Sequence, residues 1–119
     1  MGNKPVSHEE GKTLLLQSIR EKDFQQQIIE IASAYGWLVY HTYDSRRSQP
    51  GYPDLTLVHP TYGFIVAELK TEKGRLRPAQ QQWIAALQAN GVECYIWRPR
   101  DLDFISKRLA VTETGVSVK

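Results

Sequence analysis

The stretch GYPDLTLVHPTYGFIVAELK, Gly51 to Lys70, decides how the chain folds. Two runs rich in aliphatic and β-branched residues, Asp54 to Val58 and Phe64 to Lys70, stand either side of His59, Pro60, Thr61, Tyr62 and Gly63. A connector that short between strand-like runs predicts an antiparallel hairpin. With the connector spanning His59 to Gly63, Val58 pairs with Phe64, and counting back along both strands brings Asp54 opposite Glu68. Side chains alternate along a strand, so Glu68 and Lys70 share one face and Leu69 takes the other. Facing carboxylates repel and cost stability unless a cation lies between them. A bound divalent metal is the economical explanation, and oxygen ligands without a cysteine favour magnesium or manganese over zinc. Register is decisive, because a slip of one residue sends Asp54 to the far face.

Upstream, Phe24, Ile28, Ile31, Ala32 and Tyr35 recur at three- and four-residue steps. That spacing predicts a helix from about Arg20 to Tyr35, with Gly36 as its stop. Trp37 to Tyr43 reads as a strand, followed by a polar loop from Asp44 to Pro53. Downstream, Lys73 to Arg77 is a basic loop, Pro78 opens a second helix at its favoured first position, and Asn90-Gly91 closes it. Val92 to Arg98 is a fourth strand. A strand, a helix and another strand form a crossover, which makes the third and fourth strands parallel neighbours. Asp101 is placed to cap a last helix carrying Leu102, Ile105 and Leu109. The expectation is an α/β fold with its elements in the order αβββαβ and a mixed four-stranded sheet flanked by helices. The domain is expected over residues 20–110, between an N-terminal arm (1–19), polar apart from Leu14 to Leu16, and a C-terminal tail (111–119).

Composition narrows the function classes. The 119 residues suit one compact domain, and 41% hydrophobic with 24% charged residues is ordinary for a globular chain. Apolar runs such as Phe64 to Ala67 fall far short of the roughly 20 residues that cross a bilayer. The Leu14 to Leu16 patch is too short for a signal-peptide core, so a cytoplasmic protein with no membrane contact is expected. A single cysteine, Cys94, allows neither an internal disulfide nor a Cys-rich zinc site. The net charge of +2 does not by itself announce a nucleic-acid partner. Its distribution says more, because from Arg46 to Arg100 eight basic residues (Arg46, Arg47, Lys70, Lys73, Arg75, Arg77, Arg98 and Arg100) stand against four acidic ones (Asp54, Glu68, Glu72 and Glu93).

Two helices add candidates. Glu21 lies three residues before Phe24 and seven before Ile28, so it extends the apolar stripe and can point inward. Glu30 falls on the opposite side, beside Gln26, Gln27 and Ser33, and competes with Glu21 as the helix acid. Gln80 shares a face with Trp83, Ile84 and Leu87, where its amide would hold a water or a phosphate. Trp37, Trp83 and Trp97 sit inside regular elements and read as core. His41 reads as a structural histidine, with His8 and His59 at the surface.

An acid-x-Lys triplet alone is common by chance, and Glu10-Gly11-Lys12 is a second copy in the polar arm. The combination carries the weight: Gly51-Tyr52-Pro53-Asp54-Leu55, then Glu68-Leu69-Lys70, then Gly74-Arg75-Leu76-Arg77-Pro78-Ala79-Gln80 running into Trp83. It resembles the restriction-endonuclease-like PD-(D/E)xK nucleases, and more closely their VRR-NUC (virus-type replication-repair nuclease) branch, over about Glu21 to Pro99. The resemblance implies a restriction-endonuclease-like core and metal-dependent hydrolysis of phosphodiester bonds in DNA, with branched, flap or junction DNA as the expected structures. It implies Asp54 and Glu68 as ligands of Mg2+ or Mn2+, helped by the Leu69 carbonyl, and Lys70 as the group that positions or activates the attacking water. Glu21 is similar to the family's helix-borne acid, a further ligand, and Gln80 to its helix glutamine.

Substrate contacts are expected from the loops around that centre. Arg46, Arg47, Lys73, Arg75 and Arg77 would bind phosphates without sequence preference, and Tyr43 and Tyr52 would stack on an exposed base. One metal site per chain means that cutting two strands calls for a homodimer, and a replication or repair protein is a further expected partner. The plainer readings are a turn role for Asp54, the charged face of an edge strand for Glu68 and Lys70, and a solvated turn for Lys73 to Arg77. The alternative of another class is a catalytically silent nucleic-acid-binding module of the same fold, which would have no physical reason to keep two repelling carboxylates.

Overall fold

A computed structural model describes residues 7–43 and 49–110 of the chain. Arg46, Arg47 and the tail 111–119 lie outside the described residues. In chain order the elements are α1 (His8–Ser18), α2 (Glu21–Ala34), β1 (Leu38–His41), β2 (Leu55–His59), β3 (Gly63–Leu69), α3 (Pro78–Ala89), β4 (Glu93–Trp97), a 3-10 turn (Pro99–Asp101) and α4 (Leu102–Leu109). The expected αβββαβ order is present, preceded by α1, which leans on the 3-10 turn. Helix α1 starts because the Ser7 hydroxyl accepts the Glu10 N–H at 3.0 Å, satisfying one of the donors a helix leaves free at its N-terminus.

The sheet runs β1-β2-β3-β4 and is mixed. Strands β2 and β3 pair antiparallel with Val58 opposite Phe64 and Leu55 opposite Ala67, the register read from the turn length. Strands β3 and β4 are parallel neighbours, with Val66 beside Cys94, as the crossover through α3 requires. Pro78 opens α3, and Gly91, at φ +78°, takes the chain out of it through the left-handed region that L side chains avoid.

Alternation along β3 divides the core in two. Ile65, Ala67 and Leu69 pack with Leu55, Leu57 and Trp97 against Phe24, Ile28 and Ala32 of α2 and Ile105 and Leu109 of α4. Val66 faces the other way, onto Ile84 of α3 and Cys94. Burying each large side chain of the first cluster is worth about 1.5–3 kcal/mol, so this face carries most of the stability. Helix α3 packs on β4, and on the same face toward β1 Leu38 and Tyr40 stay 69% and 64% exposed. Arg108 of α4 closes the far end, donating to both oxygens of Glu93 (2.7 and 2.8 Å) and to the Tyr62 carbonyl (2.9 Å). No helix among the described residues is long and apolar enough to cross a membrane.

Two expectations need correction. Asp101 does not cap α4; its carboxylate accepts the Arg98 N–H at 2.9 Å and so caps the 3-10 turn that intervenes. Trp83 is 36% exposed and lies outside both core clusters, packed edge-on against Tyr52 with ring centroids 5.1 Å apart. Trp37 and Trp97 are core, as expected.

Candidate active site

The site forms where the β2–β3 ladder runs out. Asp54 stands one residue before Leu55 and Glu68 one residue after Ala67, so the observed register places the two carboxylates opposite each other, on the face that Val66 shares with α3. One rung further, Leu69 would meet Pro53, which has no N–H to give. The Leu69 N–H instead donates to Asp54 Oδ2 at 2.8 Å, and the Leu69 carbonyl is left without its ladder donor. Asp54 is fixed from its other side as well: its own carbonyl accepts the Thr42 N–H (2.8 Å), and the Pro53 carbonyl accepts the Thr42 hydroxyl (2.8 Å). A proline before the aspartate thus has a local reason, since it stops the ladder and frees backbone groups that orient the acid.

Glu68 is 1% exposed, yet neither carboxylate oxygen has a hydrogen-bond donor. Its nearest cation is Lys70, with Nζ 3.6 Å from Oε2, beyond hydrogen-bonding distance. Burial pushes the Glu68 carboxyl up to about 8, the negative charge of Asp54 facing it pushes the same way, and Lys70 opposes them. Glu21, on the first turn of α2, is exposed on the cleft and not turned into the core; partial desolvation there and then Asp54 raise it, against the pull of Lys70 and Arg77. Burying an unpaired carboxylate is costly, and a cation is what would relieve it. A divalent ion that prefers oxygen ligands fits these residues: two carboxylates, one spare backbone carbonyl and room for water. Among the described residues no three His, Cys, Asp or Glu side chains close on a point able to hold an ion unaided, a donor set poorly matched to structural zinc.

Above the pair lies an open cleft of about 820 Å³, bordered by Asp54, Lys70, Glu21, Gln80, Arg77, Tyr43 and Tyr52 among others. Of the residues expected from sequence, these seven are brought together, with Glu68 buried beneath. Glu30 is not: it points to solvent and accepts from Gln26 at 3.2 Å. The Gln80 side-chain oxygen accepts the Arg77 N–H (2.9 Å) and caps α3, leaving its NH2 group for the cleft. Lys73 sits away from the cleft, in a smaller cavity with Glu72 and Arg100 against α1, and Arg75 is exposed on the loop. Arg46 and Arg47 lie outside the described residues.

The cleft also recruits residues that the sequence reading passed over. Lys22 and Gln25 line it from α2, and Gln25 was within reach because it lies one helical turn beyond Glu21. His41 lines the wall as well, its ring 4.8 Å from that of Tyr43, although its place on a strand gave no reason to expect it there.

Gly51 lets the loop before Asp54 lie across α3. It has φ +97°, and a Cβ there would come within 2.6 Å of the Ala79 backbone. Gly51→Ala is therefore expected to push the loop off α3, with a loss of about 1–3 kcal/mol from strain and of cleft geometry with it. Chemical denaturation of the variant checks this, and wild-type stability would show that the close approach is not needed.

The family model described as "VRR-NUC domain" matches residues 7–101. A solved structure named "VRR_NUC domain" superposes with a TM-score of 0.62 at 23% identity, covering 71% of this chain and 91% of that one. A second, named "VRR_NUC domain protein", gives a TM-score of 0.58 at 18% identity, covering 77% and 91%. At such identities these likenesses concern the fold. No curated protein matches the chain.

Proposed function

This chain belongs to the VRR-NUC domain family, a family of nuclease-type domains, and on that premise we propose that it hydrolyses phosphodiester bonds in DNA with the help of a divalent cation, Mg2+ or Mn2+. The observation that carries the reading is the buried Glu68 carboxylate, without a hydrogen-bond donor and opposite Asp54. Asp54, Glu68 and the Leu69 carbonyl would hold the ion, with Glu21 of α2, on the same cleft, as a further ligand. When bound, the ion supplies acidity to a coordinated water and offsets negative charge building on the phosphate.

The chain's own groups do the rest. Lys70 places a compact ammonium beside Glu68, where it orients the attacking water and stabilises negative charge as it develops. The Leu69 N–H holds Asp54 in one rotamer, so the acid is aimed before substrate arrives. The free NH2 of Gln80 and the Arg77 guanidinium face the cleft and suit a phosphate. Arg46, Arg47 and Arg75 are assigned further phosphate contacts from the sequence, Lys73 only to a strand that extends beyond the cleft, and Tyr43, exposed at the lip, stacks on an unpaired base. Tyr52 is engaged with Trp83 and shapes the cleft wall.

The substrates proposed are branched, flap or junction DNA in repair or recombination, cut on two strands by a homodimer or in the company of a replication or repair protein. Incubating the protein with single strands, duplex, flap and four-way junction is expected to give cleavage in Mg2+ or Mn2+, none in EDTA, and the fastest cleavage on branched forms. Sedimentation at working concentration is expected to show a dimer. No metal-dependent cleavage of any of these would leave a folded binding module.

A further inference from the structure

We propose that Arg98 is a positioning residue for Lys70, acting through the loop Thr71 to Gly74; the proposal rests on the nuclease reading above. By sequence Arg98 belongs with the basic surface. In the fold its guanidinium is turned to the loop instead: Nη1 donates to the carbonyls of Thr71 (2.6 Å) and Gly74 (2.7 Å), with that of Glu72 at 3.4 Å. Three carbonyl dipoles converge there with their negative ends together, an arrangement that a cation stabilises and that would spring apart without one.

What the loop holds is the stem of Lys70. A Cβ built on Gly74 would lie 3.4 Å from Lys70 Cδ and 3.0 Å from Thr71 Oγ1, so the Gly74 backbone lies against the lysine side chain. Strand β4 therefore fixes Lys70 twice: the Trp97 carbonyl accepts its N–H at 3.0 Å, and Arg98, the next residue, draws the Gly74 backbone against its side chain. Arg98 is itself anchored, its N–H on Asp101 Oδ2 (2.9 Å), while the Arg100 N–H donates to Glu72 Oε1 (2.7 Å) from the same turn. Arg98 does not line the cleft, so it reaches the reaction only through this loop. Lysine has a long flexible stem, and misplacing a reacting group by about 1 Å costs up to roughly 100-fold in rate.

The test is a double-mutant cycle on cleavage, with kcat, KM and Mn2+ affinity measured separately. Arg98→Ala is expected to lower kcat by about 10- to 100-fold while Mn2+ affinity stays as in the wild type. In a Lys70→Ala background the same change is expected to alter kcat by less than about 2-fold, because the group it positions is gone. Low millimolar guanidinium, compared with equal sodium chloride, is expected to restore part of the Arg98→Ala activity and none in the double variant. Should Arg98→Ala fold poorly, Arg98→Lys keeps the charge one bond short and enters the same cycle, with a smaller loss that again vanishes without Lys70. Additive losses, or loss of Mn2+ affinity in step with kcat, would overturn the positioning role and leave the nuclease reading standing. A wild-type protein that cuts no DNA in either metal would overturn both.

Discussion

Glu68→Gln is expected to stop metal-dependent cleavage, by on the order of 1,000-fold or more, and at the same time to make the ion-free protein more stable at alkaline pH. The two effects have one origin. Glutamine keeps the shape of the side chain and loses the charge, so it gives up the proposed metal ligand together with the repulsion from Asp54. Glu68 titrates near 8 in the fold against 4.5 when exposed, so the folded state binds its proton more tightly than the unfolded state does. The stability this lends is full below pH 4.5, declines as pH rises toward 8, and is gone above that. In EDTA at pH 9 the ionised, unpaired carboxylate therefore penalises the fold, and the variant is free of that penalty. Urea denaturation of both proteins at pH 5 and pH 9 in EDTA is expected to show the variant gaining on the wild type at the higher pH. Equal stability at both pH values would mean that Glu68 is not a strained buried acid.

Lys70→Ala is expected to lower kcat by about 100- to 1,000-fold, as removal of a preorganised charge beside a reacting oxygen does elsewhere, with little change in KM. Its Nζ lies beside Glu68 and its side chain is largely buried, which places it at the proposed reacting centre and away from the exposed strand-binding surface. Metal affinity is expected to rise slightly or hold, because removing a cation takes away a competitor for the two carboxylates. Single-turnover cleavage with saturating Mn2+ separates these quantities. A large rise in KM with kcat unchanged would make Lys70 a phosphate anchor instead.

Much of this site can be read in the chain because local rules carry it. The five residues from His59 to Gly63 set the hairpin register, and alternation then puts Asp54 opposite Glu68 with no knowledge of the helices. Pro78 and Gly91 bound α3 through backbone constraints that hold in any context. Where the outcome depended on which element covers which, the sequence was silent. Trp83 faces a loop because α3 sits over β4, and no period in α3 says so. Arg98 looks like one more surface cation until the loop carbonyls gather around it. Helix α1 was legible in part, since Ser7 with Glu10 three residues later is a capping signal that the aperiodic Leu14 to Leu16 cluster obscured.

Asp54 and Glu68 are proposed to share one divalent ion, and titration of Mn2+ into the protein, followed by calorimetry at pH 6 and pH 8.5, tests that without any substrate. One ion per chain is expected, bound more tightly at pH 8.5 because the Glu68 proton must leave first, with heat of binding absent in Glu68→Gln. Binding that is the same at both pH values and survives in Glu68→Gln would contradict it.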